Sequence, residues 1–139
     1  MSELDDESRK SLVEYRLERA YETMKEAALL TDKGYFNAAV NRLYYACYYA
    51  AAALLLKHEI EAKTHAGVKS MFGLHFVSKG LIPIQIGKIL STLFEKRQSG
   101  DYDDFIYCDK EMTEELSVQA QTFIDFIFKF INEDSSSIE

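Results

Sequence analysis

Apolar residues recur along the first part of the chain at the three- and four-residue spacing of an α-helix. The steps place one set of side chains on a single face: Val13, Leu17, Ala20, Met24 and Ala27. This period predicts an amphipathic first helix over about residues 5–32. Gly34 follows it and supplies the residue type that most easily adopts the positive φ at which helices commonly end.

A second run of the same period predicts a helix over about residues 35–58 that is apolar on more than one face. One stripe consists of Phe36, Val40, Leu43, Cys47, Ala50 and Leu54, and beside it run Tyr44, Tyr48, Ala51 and Leu55. A helix that is apolar around most of its circumference is usually covered by neighbours on several sides. We therefore predict that this helix lies at the centre of the fold.

Caps and breakers then predict a short third helix and a fourth helix. Thr64 is a suitable N-cap for a helix over about residues 65–79, and Gly80 would end it. Pro83 suits the first turn of the fourth helix, because its missing N–H has no helical partner there.

A last helix is predicted near the end of the chain. Asp109 can cap a helix over about residues 110–132, and we expect the polar, Ser-rich residues 133–139 to form a frayed tail. No stretch keeps the two-residue alternation of a strand for long. The pattern as a whole predicts an all-α fold, a bundle of helices.

Length and composition indicate the size of the fold and the cellular compartment of the protein. A chain of 139 residues fits a single domain over residues 1–139. Its first ten residues are acidic and polar, unlike a signal peptide, and no apolar run approaches the ~20 residues that cross a bilayer. Cys47 and Cys108 are too few for a disulfide framework. We therefore expect a cytoplasmic protein that does not associate with membranes.

The charge is distributed unevenly along the chain. The formal net charge of −7 speaks against a general nucleic-acid-binding protein. Residues 35–97 nevertheless carry eight Lys or Arg and three Asp or Glu, whereas residues 98–139 carry two and eleven. A cationic middle can attract an anionic ligand. Charge balance between packed helices is the alternative, and charge alone favours it.

Polar side chains interrupt the apolar surface of the second predicted helix. Asn37, Asn41 and Tyr45 follow one another at i+4, so they share one side of the helix, next to Arg42. A buried polar group without a hydrogen bond costs ~1–3 kcal/mol. These residues therefore form either a polar network between helices or the wall of a polar cleft.

Arg97 continues the apolar stripe of the fourth predicted helix, which consists of Ile86, Leu90 and Leu93. Its stem should point inward, and a partly buried guanidinium needs an anion. Asp101 at i+4 can supply that anion if the helix continues past Gly100. If Arg97 instead faces a cleft, its fork of N–H groups can hold a phosphate.

His65 is predicted to lie in the first turn of the short third helix. The positive end of the helix dipole favours a neutral imidazole there, which can act as a general base or a hydrogen-bond donor. A packing or capping role is the more common alternative. The chain has no CxxC, HExxH, phosphate-loop or GxSxG motif, and we expect no metal and no cofactor.

Three segments resemble motifs of the HEPN-domain family. Residues 34–46, with the sequence Gly-Tyr-Phe-Asn-Ala-Ala-Val-Asn-Arg-Leu-Tyr-Tyr-Ala, are similar to the second helix of HEPN proteins, and Lys63–Val68 and Arg97–Tyr102 are similar to further parts of its small stand-alone branch. The resemblance covers about residues 10–130. It implies an up-and-down antiparallel bundle of four main helices plus one short helix, commonly as a homodimer.

The resemblance also implies a partner and an activity. Many relatives pair with a small nucleotidyltransferase encoded alongside them, in toxin–antitoxin-like modules. Active members resemble metal-independent ribonucleases, in which an Arg is followed after four to six residues by a His. The Arg would stabilise the charge of the phosphorane, and the His would move protons at the reacting oxygens.

This chain departs from that motif at the position of the His. After Arg97, the residues in the required window are Tyr102, Asp103 and Asp104. Tyr102 is a weak replacement, because a phenol with a pKa near ~10 stays protonated at neutral pH. His65 would have to reach Arg97 from another helix.

Two functions follow from these observations, and a third possibility is a purely structural dimer in which Asp101 saturates Arg97 and no cleft reaches solvent. The first is a partner-binding HEPN protein of a two-chain module with a polar cleft that faces a nucleotide or RNA. The second is an active metal-independent endoribonuclease. The candidate binding residues are Asn41, Arg42, Tyr45 and Asp101, and the candidate catalytic residues are Arg97, Tyr102 and His65.

Overall fold

The computed structural model describes the chain over residues 4–102 and 108–138, with side chains for residues 4–97 and 108–133. These residues form α1 (Asp6–Asp32), α2 (Phe36–Lys57), α3 (His65–Phe72), α4 (Ile84–Tyr102) and α5 (Lys110–Ile138), and a turn of π-helix (Gly73–Val77) follows α3. Neither range contains a strand, and no helix in them is long and apolar enough to cross a membrane. The predicted all-α bundle of four main helices plus one short helix is confirmed.

The residues predicted as N-caps lie at the starts of α3 and α5. The hydroxyl of Thr64 accepts a hydrogen bond from Gly67 N at 2.8 Å at the start of α3, and the carboxylate of Asp109 accepts one from Met112 N at 2.8 Å at the start of α5. Each bond satisfies a backbone N–H that has no partner inside the helix. Local side-chain chemistry therefore sets both starting points, as the sequence predicts.

Gly34, Gly80 and Pro83 lie at helix ends, although Pro83 lies slightly earlier than predicted. Gly34 and Gly80 adopt φ angles of 83° and 75°, a conformation that glycine reaches without strain. Pro83 lies just before α4 instead of within its first turn. Its carbonyl oxygen accepts hydrogen bonds from Ile86 N at 3.1 Å and Gly87 N at 3.2 Å, so it holds a capping position where the missing N–H is equally harmless.

Two helices end differently from the prediction. The α-helical part of the short third helix stops at Phe72, and the π turn that follows is closed by a hydrogen bond from Ser78 N to Gly73 O at 2.8 Å. The last helix continues to Ile138, beyond its predicted end near residue 132 and into the stretch predicted as a frayed tail. No Gly or Pro occurs between residues 110 and 138, so no residue type in this stretch forces the helix to stop.

The second helix is central, as its apolar pattern predicts. Eleven of its 22 residues are buried, and it packs against α1, α3, α4 and α5. Small side chains such as Ala46, Ala50 and Ala53 are fully buried and allow neighbouring backbones to approach closely. Asn41, Tyr45 and Tyr49 stay half-buried on the remaining side of the helix, and the candidate site lies there.

Candidate functional site

Helix α4 carries Arg97 to the half-buried side of α2. Leu93, one turn earlier, is fully buried and anchors the helix, whereas Arg97 is half-buried. Its Nη2 donates to the hydroxyl of Tyr45 at 3.3 Å, and its Cζ lies 5.5 Å and 5.6 Å from the ring centroids of Tyr44 and Tyr45. Cation–π contacts with two phenols therefore hold the guanidinium at the edge of the core.

The course of α4 decides one of the alternatives for Arg97. The helix runs through Gly100 to Tyr102, so termination at Gly100 is wrong. The side chains of Asp101 and Tyr102 lie outside the described residues. The pairing of Asp101 with Arg97 and the role of Tyr102 therefore stay predictions.

A groove of about 360 Å³ opens beside Arg97, and we call it the Arg97 groove. Its polar walls are formed by Asn37, Asn41, Arg42, Lys96 and Arg97. Three of these residues are cationic, and no Asp or Glu of the described ranges lines the groove. The structure thus brings the predicted residues Asn41, Arg42 and Arg97 together around a space that an anion can enter.

Arg42 is partly neutralised within this groove. Its Nη1 lies 3.4 Å from a carboxylate oxygen of Glu26, and its Nη2 donates to the amide oxygen of Asn41 at 3.3 Å. Its Cζ stands 5.0 Å from the ring centroid of Tyr45. The side chain of Glu26 is 44% exposed, and ion pairs this exposed contribute only about 0–1 kcal/mol. Arg42 can therefore exchange this weak contact for a phosphate.

Asn37 has a structural role at the end of the groove. Its amide oxygen accepts a hydrogen bond from Cys108 N at 2.7 Å. This bond ties the residues before α5 to the first turn of α2. The polar stripe of α2 was open to two interpretations, a network between helices or the wall of a cleft. Asn37 fits the network, whereas Asn41 and Arg42 line the cleft.

His65 approaches the same aromatic cluster from α3. Its Nδ1 lies 2.7 Å from the hydroxyl oxygen of Tyr44, and its ring stacks on Tyr48 with 4.3 Å between centroids and 19° between planes. The ring of Tyr45 meets it edge-on at 5.4 Å. Tyr44 and Tyr45 therefore contact both His65 of α3 and Arg97 of α4.

The hydrogen bond between Tyr44 and His65 selects one tautomer of the neutral ring. Tyr44 is 1% exposed, and Nδ1 of His65 is the hydrogen-bond partner that the described residues offer to its hydroxyl. The buried O–H is satisfied only when it donates to Nδ1. The imidazole proton then lies on Nε2. In this state His65 offers an N–H donor and has no free basic nitrogen.

The surroundings of His65 and Tyr44 favour the neutral forms of both side chains. Burial, and secondarily the charge of Arg97, lower the pKa of His65 below its ordinary value. Burial raises the pKa of Tyr44 far above that of an ordinary phenol, although Arg97 opposes this effect. His65 is therefore a neutral imidazole at pH 7, as the sequence predicts, with burial and a neighbouring cation as the causes.

We expect an NMR titration of ¹⁵N-labelled protein to show the Nε2–H tautomer of His65 above neutral pH and a midpoint below 6.5. Arg97→Ala removes the second cause of the lowered pKa, so the midpoint should rise toward 6.5 without reaching it, because burial remains. Lys88→Ala removes an exposed cation from the same helix and should leave the midpoint unchanged. A midpoint that does not respond to Arg97→Ala would contradict this arrangement.

The same titration has a consequence for stability. The pKa of His65 is lower in the folded state than in the unfolded chain, so the unfolded chain binds this proton more tightly. The stability contribution of neutral His65 is thus complete above pH 6.5, and it is lost as the pH falls from there through the lower pKa of the folded state.

Three residues of the site, Tyr44, Tyr48 and Lys96, are not among the candidates chosen from the sequence. Tyr44 belongs to the core stripe of α2, and no helical period reveals its bond to His65, because the partner lies 21 residues away on another helix. Lys96 precedes Arg97 directly, so the density of cations in residues 35–97 could have indicated it. Among the described residues, no group of three His, Cys, Asp or Glu could hold a metal ion.

Comparison with known proteins agrees with the motifs. The family model of the HEPN domain matches residues 13–131. A UPF0332 protein of Thermotoga maritima is 34% identical over 125 residues, which cover 90% of this chain and 95% of that protein. Two proteins of Methanocaldococcus jannaschii also match. "Putative toxin MJ0605" is 36% identical over 84% of this chain and 87% of its own length, and "Putative toxin MJ0142" is 30% identical over 86% and 81%. The chain belongs to the HEPN-domain family.

Proposed function

We propose that this HEPN protein binds the phosphates of RNA or of a nucleotide in the Arg97 groove. The observation that carries the proposal is the charge of the groove: Arg42, Lys96 and Arg97 line it, and no described carboxylate does. Charge-assisted hydrogen bonds from Arg to phosphate are among the stronger polar contacts in proteins. Because Arg97 is half-buried, such a bond is less screened than one at the open surface.

The proposal includes the cellular setting of the protein. The protein forms a homodimer and acts as the toxin-like member of a two-chain module. The second member of the module is a small nucleotidyltransferase. The names of the two relatives from Methanocaldococcus jannaschii support the toxin-like role. Recovery of the small nucleotidyltransferase after co-expression with this chain tests the module, and light scattering of the purified protein tests the homodimer.

The state of His65 supports binding without cleavage. A ribonuclease base must take the proton of the 2′-hydroxyl, so it needs a nitrogen with a free lone pair. In the tautomer that satisfies the buried O–H of Tyr44, Nδ1 accepts this hydrogen bond over 2.7 Å and Nε2 carries the proton. His65 can then donate a hydrogen bond, but it is not prepared to act as the base.

An endoribonuclease that uses Arg97 with His65 is the second candidate function. One observation favours it: Arg97 and His65 contact the same two rings, Tyr44 and Tyr45. This activity requires the imidazole proton to move from Nε2 to Nδ1 when RNA binds. The hydroxyl of Tyr44 must then find another acceptor.

One experiment distinguishes the two candidates. Purified protein and the variants His65→Ala and His65→Gln are incubated with labelled single-stranded RNA in EDTA across neutral pH, and both binding and cleavage are measured. We expect the wild type to bind the RNA and leave it intact. Cleavage that disappears in His65→Ala would establish the ribonuclease instead, and absence of binding by the wild type would refute both candidates.

A further inference from the structure

A second, larger groove of about 630 Å³ lies between the N-terminal half of α1, the second half of α2 and the segment over residues 58–64, and we call it the α1–α2 groove. Its walls combine cationic and aromatic side chains, among them Arg9, Arg16, Arg19, Lys63, Tyr15 and Tyr49. Two carboxylates, Glu59 and Glu61, also line it. The excess of charge is positive, as in the Arg97 groove.

Two of the four cations are not neutralised within the described chain. Arg9 and Arg19 form ion pairs with neighbouring carboxylates at 2.9 Å and 3.0 Å. Arg16 and Lys63 form no ion pair with any described residue, and Arg16 donates only one long hydrogen bond, to Ala52 O at 3.4 Å. Arg16 and Lys63 are therefore available to phosphates without the loss of an existing ion pair.

The aromatic side chains add the second element of a site for unpaired bases. Tyr15 is 57% exposed, and Cζ of Arg19 stands 5.5 Å from the ring centroid of Tyr49. Phenol rings beside cations are typical of surfaces that bind single-stranded nucleic acid, because bases stack on the rings while cations follow the backbone. Duplex RNA is recognised mainly through its shape and its backbone, without such rings.

The two grooves lie along one side of α2. Arg42, Tyr45 and Tyr49 follow one another at three- and four-residue steps on this side. The two grooves come close together near Glu26, whose carboxylate lies 3.4 Å from Arg42 of the Arg97 groove and 3.8 Å from Arg19 of the α1–α2 groove. The eleven helical steps from Asn41 to Ala52 correspond to about 16 Å along the axis.

From this arrangement we infer that the α1–α2 groove is a second binding site for single-stranded RNA, continuous with the Arg97 groove along α2. The ligand is then a strand of several nucleotides, because a single nucleotide would occupy only one of the grooves. Arg16 and Lys63 contact its phosphates, and Tyr15 stacks on a base. This inference rests on the proposed function of the Arg97 groove.

Comparison of a short and a long ligand tests the inference. The dissociation constants of a phosphorylated dinucleotide and of an oligoribonucleotide of roughly twelve nucleotides are measured at several salt concentrations. For the oligonucleotide, Arg16→Ala should reduce the slope of log K against log salt by about 0.7, the value of one lost phosphate contact. Tyr15→Ala should weaken oligonucleotide binding about 5- to 150-fold through the lost stacking. The Arg97 groove is the primary site and holds the dinucleotide, so neither change should affect the dissociation constant of the dinucleotide.

Matched controls come from the same molecule. Lys25→Ala removes an exposed cation of α1, and Tyr35→Ala removes a phenol that is 63% exposed; neither residue lines a groove, so both variants should bind like the wild type. Circular dichroism verifies that each variant is folded.

The remaining outcomes of these binding measurements separate the failure of the inference from the failure of the proposed function. Equal oligonucleotide binding by the wild type, Arg16→Ala, Lys63→Ala and Tyr15→Ala overturns the inference but leaves the proposed function intact if Arg97→Ala loses binding. Absence of binding of both ligands to the wild type overturns the inference and the proposed function. A base-free polyphosphate that binds as tightly as the RNA, with no dependence on Tyr15, overturns the assignment to RNA.

Discussion

Arg97→Ala is expected to reduce RNA binding about 30-fold or more at fixed salt, because removal of one partner of a desolvated charge pair typically costs 2–5 kcal/mol. The half-buried guanidinium lies against Tyr44 and Tyr45, and these contacts orient its N–H groups before the ligand arrives. Fluorescence anisotropy with a labelled oligonucleotide measures the effect. Arg97→Lys should recover only part of the affinity, since an ammonium cannot form the paired hydrogen bonds of a guanidinium.

The control for this prediction is Lys88→Ala, which removes an exposed cation from the same helix outside the Arg97 groove. This variant should bind RNA with nearly the affinity of the wild type. If Lys88→Ala weakens binding as much as Arg97→Ala does, only the overall charge of α4 matters and the groove is not the site. Full affinity of Arg97→Lys would show that the geometry of the guanidinium is irrelevant.

The second large effect concerns stability: Phe123→Ala is expected to lower the free energy of unfolding by about 3–5 kcal/mol. Phe123 on α5 is fully buried, and its ring lies 5.6 Å from that of Phe72 at the end of α3. Its removal leaves a cavity between these helices that the packed core fills only in part. Urea denaturation measures the loss.

Val118→Ala is the matched control for Phe123→Ala. Val118 lies on the same helix and is 68% exposed, so its truncation should change the free energy of unfolding by no more than about 0.5 kcal/mol. Similar losses for both variants would mean that Phe123 does not lie in the core while Val118 faces solvent.

Most of the fold could be predicted because its determinants are local. Thr64 and Asp109 each satisfy an N–H three residues further on, and Gly34 supplies its φ angle without help from distant residues. The errors arose at ends that no cap or breaker marks. The π turn over residues 73–77 and the extension of α5 beyond residue 132 have no corresponding signal in residue type.

The candidate site could be predicted only in part. Helical spacing placed Asn41 and Arg42 on one side of α2, and the stripe of α4 pointed to Arg97. The same spacing could not show that Arg97 meets Tyr44 and Tyr45, because a period specifies a face and not the neighbour that covers it. The bond between Tyr44 and His65 depends in turn on where the segment after α2 places α3.

The sequence by itself determined the helices, the central position of α2, the family and the absence of a His in the required window after Arg97. These properties follow from residue types at fixed spacing, so they can be read along the chain. The tertiary structure alone decided which side chains meet. It brought Arg97, His65 and two tyrosines from three helices into one cluster, placed Nδ1 of His65 beside the buried hydroxyl of Tyr44 and put two cationic grooves along one side of α2. Contacts between distant residues depend on how helices pack in space, and the local pattern of a single helix does not contain that information.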